Sequence, residues 1–134
     1  MMRATRSQFA AVLYAKDLVR VAAFYAEVIG LAVIERRAGH VVLESPTFQL
    51  VIVAVPPRIG AGIEIADPPT RREENPIKLV FFVPSLAESR PQVSSLGGEL
   101  NPLEREWSFQ GARVCDGHDP EGNVFQLRQV IPDH

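Results

Sequence analysis

Over residues 7–15 apolar side chains fill both parities, with Phe9, Ala11, Leu13 and Ala15 on one and Ala10, Val12 and Tyr14 on the other. That pattern predicts a strand buried on both faces, apart from the Tyr14 hydroxyl. The period then changes. Leu18, Val21, Phe24, Tyr25 and Val28 recur at three- and four-residue spacing, which predicts an amphipathic helix over 18–28. Asp17 is placed to cap its amino end, and Gly30 suits a left-handed cap beyond its last turn. Strands are expected over 31–37, 40–44 and 48–55, separated by Ala38-Gly39 and by Ser45-Pro46-Thr47. The first half therefore reads β-α-β-β-β.

Residues 58–75 are rich in Gly, Pro and charge and read as a connector, with a short apolar alternation over 62–65 that predicts at most one strand. The first pattern then repeats. A strand over 77–83 puts Leu79, Phe81 and Val83 on one face and Lys78, Val80 and Phe82 on the other. Ser85 and Glu88 form a capping-box signature for a helix over 86–96 that ends at Gly97-Gly98. Pro91 lies inside it and predicts a break or 3₁₀ character near Arg90, because proline costs about 3 kcal/mol in a helix interior. A short strand over 99–102 and an irregular segment over 104–110 holding Trp107 lead to a hairpin. Its strands are 111–115 and 124–130, with Asp119-Pro120-Glu121-Gly122-Asn123 as a polar turn. Gln126 and Arg128 then share a face, opposite Phe125 and Leu127. The second half is again β-α-β-β-β. The tripeptides Phe48-Gln49-Leu50 and Phe125-Gln126-Leu127 fall in corresponding last strands, an echo of duplication.

The expected fold is α+β: two β-α-β-β-β modules forming a curled mixed sheet around a cleft, with helices outside. Module one spans 7–57, the connector 58–75 and module two 76–131, within one domain covering 1–134. The 134 residues suffice for a sizeable core, and with 46% apolar residues and a formal net charge of −2 there is no electrostatic case for nucleic acid or an anionic membrane. With no apolar run of about 20 residues and no signal peptide, a cytoplasmic location is expected. The single cysteine, Cys115, reads as a buried small hydrophobe.

Two stretches carry a family resemblance. Tyr14, Asp17, Phe24-Tyr25 and Gly30-Leu31 resemble the opening of a vicinal oxygen chelate module, and Asp119-Pro120-Glu121-Gly122-Asn123-Val124-Phe125-Gln126-Leu127 resembles its closing motif. This superfamily includes glyoxalase I, extradiol dioxygenases and the bleomycin and fosfomycin resistance proteins. The resemblance implies the fold across almost the whole chain but says little about chemistry. Its enzymes hold a divalent metal through four inward positions, which the motifs place here at Ala10, Gln49, Lys78 and Gln126. None is a histidine or carboxylate, so no metal and no other cofactor is expected. His40 opens an outer strand, His118 is read in a polar loop and His134 ends the chain, so none restores a metal set.

What remains is a cleft for a small organic, possibly anionic, molecule. Its expected lining is Tyr14, Gln49, Lys78, Phe82, Trp107, Gln126 and Arg128. Lys78 either meets an anionic ligand oxygen or bonds a nearby acid such as Glu64, and Tyr14 either donates to a ligand or fills space. Trp107 either walls the pocket or covers a sheet end. No catalytic residue is assigned. A metal-free lyase or isomerase using Lys78 or Tyr14, and a non-catalytic dimerisation domain, stay open as alternatives. A homodimer is expected, because small modules leave an open sheet edge and apolar surface near 100–109.

Overall fold

Helix α1 (Leu18–Ile29) starts and stops where its caps dictate. Asp17 Oδ1 accepts the Arg20 amide at 3.1 Å, and Gly30, at φ +79°, donates its amide to the Ala26 carbonyl. Val21, Phe24, Tyr25 and Val28 are buried on one side of the helix. Around it run β1 (Ala10–Ala15), β2 (Ala32–Arg36), β3 (His40–Glu44) and β4 (Gln49–Ala54), in the sheet order β1-β4-β3-β2. The α1 crossover makes β1 and β4 parallel, while β3 runs antiparallel to both its neighbours. Leu43, Leu50 and Ile52 are fully buried, as are Phe24 and Val21 of the helix. Each such side chain contributes about 1.5–3 kcal/mol of burial.

The computed structural model describes residues 7–132, and His134 lies outside them. The chain divides into two compact units between Glu64 and Ile65. In the second unit β5 (Leu79–Phe82), α3 (Leu86–Ser95), β6 (Glu99–Leu100), β7 (Trp107–Phe109), β8 (Ala112–His118) and β9 (Val124–Val130) repeat the order of the first. The sheet runs β5-β9-β8-β6, with β7 also paired to β8. Strands β6 and β7 are two pieces of one interrupted edge, and the chain between them leaves it in a 3₁₀ turn, Leu103–Arg105. The whole is a mixed α+β fold with two mixed sheets. Among the described residues no helix is long and apolar enough to cross a membrane.

Several expectations need correction. Strand β1 is not buried on both faces: Val12 is 56% and Tyr14 63% exposed, because α1 covers only one side of this sheet. The alternation over 62–65 forms no strand. The connector instead begins with a one-turn helix, α2 (Pro57–Gly60), whose first position suits proline. Helix α3 runs unbroken through Pro91. The amide that proline lacks would have met the Ala87 carbonyl, and both residues lie on the exposed side of the helix, where that carbonyl is open to solvent. Buried Leu86 and Val93 hold the helix to the sheet. Strand β8 is longer than expected and carries His118 as its buried last residue.

The polar turn over 119–123 is buried. Asp119, fully buried, accepts from the amides of Glu121 (2.8 Å) and Asn123 (3.0 Å) and from Asn123 Nδ2 (2.9 Å). The connector lies over it. The Arg72 amide donates to the Gly122 carbonyl at 2.8 Å, and Arg72 Nε to the Glu121 carbonyl at 3.1 Å. Gly122, at φ +84°, sits so close that an added Cβ would stand 2.0 Å from the Thr70 carbonyl oxygen.

Candidate functional site

Strand parity sorts the second unit into two faces. Leu79, Phe81, Phe125 and Leu127 lie on the side of α3. The opposite, open face is set by register: Val80 pairs with Gln126, Phe82 with Arg128, Asp116 with Gln126, and Val114 with both Arg128 and Trp107; Val80, Phe82 and Trp107 are exposed on it, while Gln126 and Val114 are buried. Lys78, just before β5, shares that parity. The open face thus gathers Lys78, Phe82, Trp107, Gln126 and Arg128, five of the seven residues expected from sequence, and adds Asp116 and Phe109.

Lys78, Asp116, Gln126, Arg128, Phe82 and Phe109 form one continuous chain of contacts, and Trp107 shares their face by register. Lys78 Nζ donates to Asp116 Oδ2 at 2.8 Å, and Gln126 Nε2 donates to Asp116 Oδ1 at 3.0 Å. Arg128 Nε donates to Gln126 Oε1 at 2.8 Å. The Arg128 guanidinium lies 5.9 Å from the Phe82 ring centre and 5.1 Å from that of Phe109, within cation–π range of both. Both ends of the Gln126 amide are therefore engaged, and its orientation is set. Asp116, not Glu64, is the acid that meets Lys78. Arg128 is half-buried and held by Gln126 and the two rings.

The edge carrying Trp107 is fixed from the helix side. Glu106 accepts from Arg90 Nη2 and from Arg113 Nε (3.0 Å), and Arg90 Nη1 donates to the Asn101 carbonyl at 2.6 Å. Burial works to lower the Arg90 pKa, but hydrogen bonds to Glu106 and Cys115 outweigh it and raise the value. Burial also pushes the Cys115 thiol above its ordinary value, with Arg90 pulling part of the way back. Cys115 is a covered core residue, as expected.

The first unit repeats the motif in simpler form. Gln49 Nε2 donates to Glu44 Oε2 at 2.8 Å, and these residues are direct cross-strand partners, as are Gln126 and Asp116 in the second unit. Tyr14 shares this face with Gln49 and Val53, its ring largely exposed. Tyr14 and Gln49 lie in the first unit, the other five expected residues in the second.

Register also corrects the proposed metal stations. Ala10 pairs with Gln49, but the residue pairing with Gln126 is Val80, and Lys78 lies two residues earlier. Ala10 and Val80 carry no donor atom, and the two glutamines direct their amide nitrogens to carboxylates. This set does not fit a divalent ion. Among the described residues no group of three or more His, Cys, Asp or Glu is placed to hold a metal.

A family model described as a glyoxalase-like domain matches residues 10–128. Comparison of the sequence with curated proteins finds no match. Solved structures with the same fold include a glyoxalase/bleomycin resistance protein/dioxygenase family enzyme from Burkholderia phytofirmans PsJN, at 19% identity and a TM-score of 0.68, covering 94% of this chain and 100% of that one. A bleomycin-binding protein complexed with bleomycin matches at 23% identity and a TM-score of 0.58, with 93% and 98% covered. The fosfomycin resistance protein FosX from Listeria monocytogenes matches at 17% identity and a TM-score of 0.63, with 98% and 96% covered. The match of the family model along nearly the whole length places this chain in the glyoxalase-like domain family, within the vicinal oxygen chelate superfamily.

Proposed function

We propose that the protein binds a small organic molecule on the open face of its second unit, without a metal. The observation that carries this reading is the chain Lys78–Asp116–Gln126–Arg128, which runs across the sheet to an aromatic shelf, the rings of Phe82 and Phe109 with Trp107 on the same face. A few oriented polar groups among exposed aromatic surface suit recognition of a ligand with one polar end and one flat apolar part. Trp107 and Phe82 are 39% and 58% exposed, so both present ring surface to solvent. The bleomycin complex of a structural relative supports the same class of role. Binding is favoured over turnover because Lys78 and Gln126 are engaged with Asp116, and no nucleophile is paired with a base on this face.

The test is a Trp107 fluorescence titration with a library of small aromatic and heteroaromatic compounds, run with a chelator present. Saturable quenching that is lost in Phe82→Ala and Arg128→Met supports the reading. Quenching that appears only on adding a divalent metal, or that survives both substitutions, would sink it.

The exposed Val12, Tyr14 and Val130, outside the aromatic shelf, further favour a homodimer, since isolated chains rarely leave much apolar sheet surface uncovered. Light scattering on the purified protein checks this, and a strictly monomeric mass at high concentration contradicts it.

A further inference from the structure

Beside Lys78 the second unit holds a pocket of about 200 Å³ whose lining shares Lys78 and Asp116 with the open face. Its charged lining is uneven. Arg71, Arg72, Lys78 and Arg105 face two carboxylates, Glu73 and Asp116. A chain with formal net charge −2 thus concentrates positive charge at this one place.

The four cations are not equally engaged. Lys78 is paired with Asp116. Arg71 approaches Glu73 only at 4.0 Å, and Glu73 is 72% exposed, so that pair is loose. The Arg105 side chain meets no acid among the described residues. Arg72 is anchored through its backbone amide and Nε to the buried 119–123 turn, which leaves its two terminal guanidinium nitrogens for the pocket. An anchored guanidinium loses little freedom on binding and presents a fork suited to an oxyanion.

We propose that this pocket is an oxyanion subsite, built by Arg72, Arg105 and Lys78, for a phosphate or carboxylate group of a small ligand. The subsite deepens the reading of the open face, because Lys78 and Asp116 border both. A ligand whose flat part lies on the Phe82–Trp107 shelf would extend its acidic group past Asp116 toward Arg72 and Arg105. The connector is then part of the binding site, and the two Arg72 hydrogen bonds to the buried 119–123 turn give the anion a fixed wall.

The test is an amide NMR titration of the whole protein with inorganic phosphate, and in parallel with malonate, at ionic strength held constant with sodium chloride. Saturable shifts are expected at Arg72, Asn75, Lys78 and Arg105, with phosphate and malonate telling which oxyanion geometry fits better. Arg105→Gln should weaken binding about three- to fivefold, since one partly exposed charged contact is removed. Asp116→Asn should tighten it by a similar factor, because it removes a facing carboxylate and releases Lys78. No saturable shift, or equal affinity in the wild type and both variants, would overturn the subsite. Loss of phosphate binding with intact Trp107 quenching by neutral compounds would remove the subsite alone. Phosphate binding without any organic ligand at Trp107 would leave the subsite standing and remove the shelf.

Discussion

Gly122→Ala is the substitution that most severely tests how the connector is held. At φ +84° an alanine costs about 1–2 kcal/mol in the backbone alone. The added methyl would also stand 2.0 Å from the Thr70 carbonyl oxygen, a backbone atom that cannot rotate away. Either the turn or the connector must move, and the two Arg72 bonds to Gly122 and Glu121 are then lost, at about 1 kcal/mol each. The sum is a destabilisation of about 3–4 kcal/mol. Urea unfolding followed by Trp107 fluorescence measures it. Limited trypsin digestion reports the local event, because a released connector exposes the bonds after Arg71 and Arg72. Gly39→Ala is the control: an added Cβ there meets nothing within 4 Å, and a change within about 0.5 kcal/mol is expected. If Gly122→Ala unfolds within about 1 kcal/mol of the wild type with an unchanged cleavage pattern, the packing of connector on turn is not what the structure describes.

Asp119→Ala removes an acceptor of three hydrogen bonds in a buried turn and should cost about 4 kcal/mol in the same unfolding assay, whereas a loss under about 1 kcal/mol would contradict the role given to Asp119. Cys115 should resist iodoacetamide in the native protein at mildly alkaline pH and react only on unfolding, since it is fully buried and its thiol is shifted upward by that burial. Glu35 is held below its ordinary value of 4.5 by a hydrogen bond to His40, 2.7 Å away, with a smaller pull from Arg37. A lowered folded pKa stabilises above the unfolded value and loses that contribution as pH falls through the folded one. Glu35→Gln should therefore flatten the stability profile on the acid side of 4.5 and leave it unaltered in shape at neutral pH, as measured by unfolding across that range.

Much of the architecture was legible because it is written in local signals. Asp17, Ser85 and Gly30 announce helix ends through their own side chains or backbone freedom, and β3 and β9 begin and end where alternation and turns place them. Of the matching Phe-Gln-Leu tripeptides, Gln49-Leu50 and Gln126-Leu127 do occupy equivalent last strands, while Phe48 stands just before its own. What local signals miss is the partner across the sheet. Asp116 and Glu44, which orient the two glutamines, went unassigned, yet hairpin counting contains them. A turn over 45–48 sets Glu44 opposite Gln49, and one over 119–123 sets Asp116 opposite Gln126. The error at Lys78 is of the same kind: parity gave the correct face, but only the β5–β9 register shows that Val80 stands across from Gln126. Phe109 was overlooked beside Trp107 because its contact with Arg128 spans separate strands. The burial of the polar 119–123 turn had no local signature, since the segment covering it lies some fifty positions earlier in the chain. Pro91 shows the opposite failure, a strong local rule overridden by where the missing amide points.

The central claim is that the open face of the second unit holds a small organic ligand through Lys78, Arg128 and the aromatic shelf, with no metal involved. Crystals of chelator-treated protein soaked with a set of flat, singly charged fragments test it directly. The account predicts fragments stacked against Phe82 or Trp107 with a polar atom in hydrogen-bonding reach of Arg128 or Lys78. Fragments collected only at other surfaces, with this face bare at full soaking concentration, would contradict it.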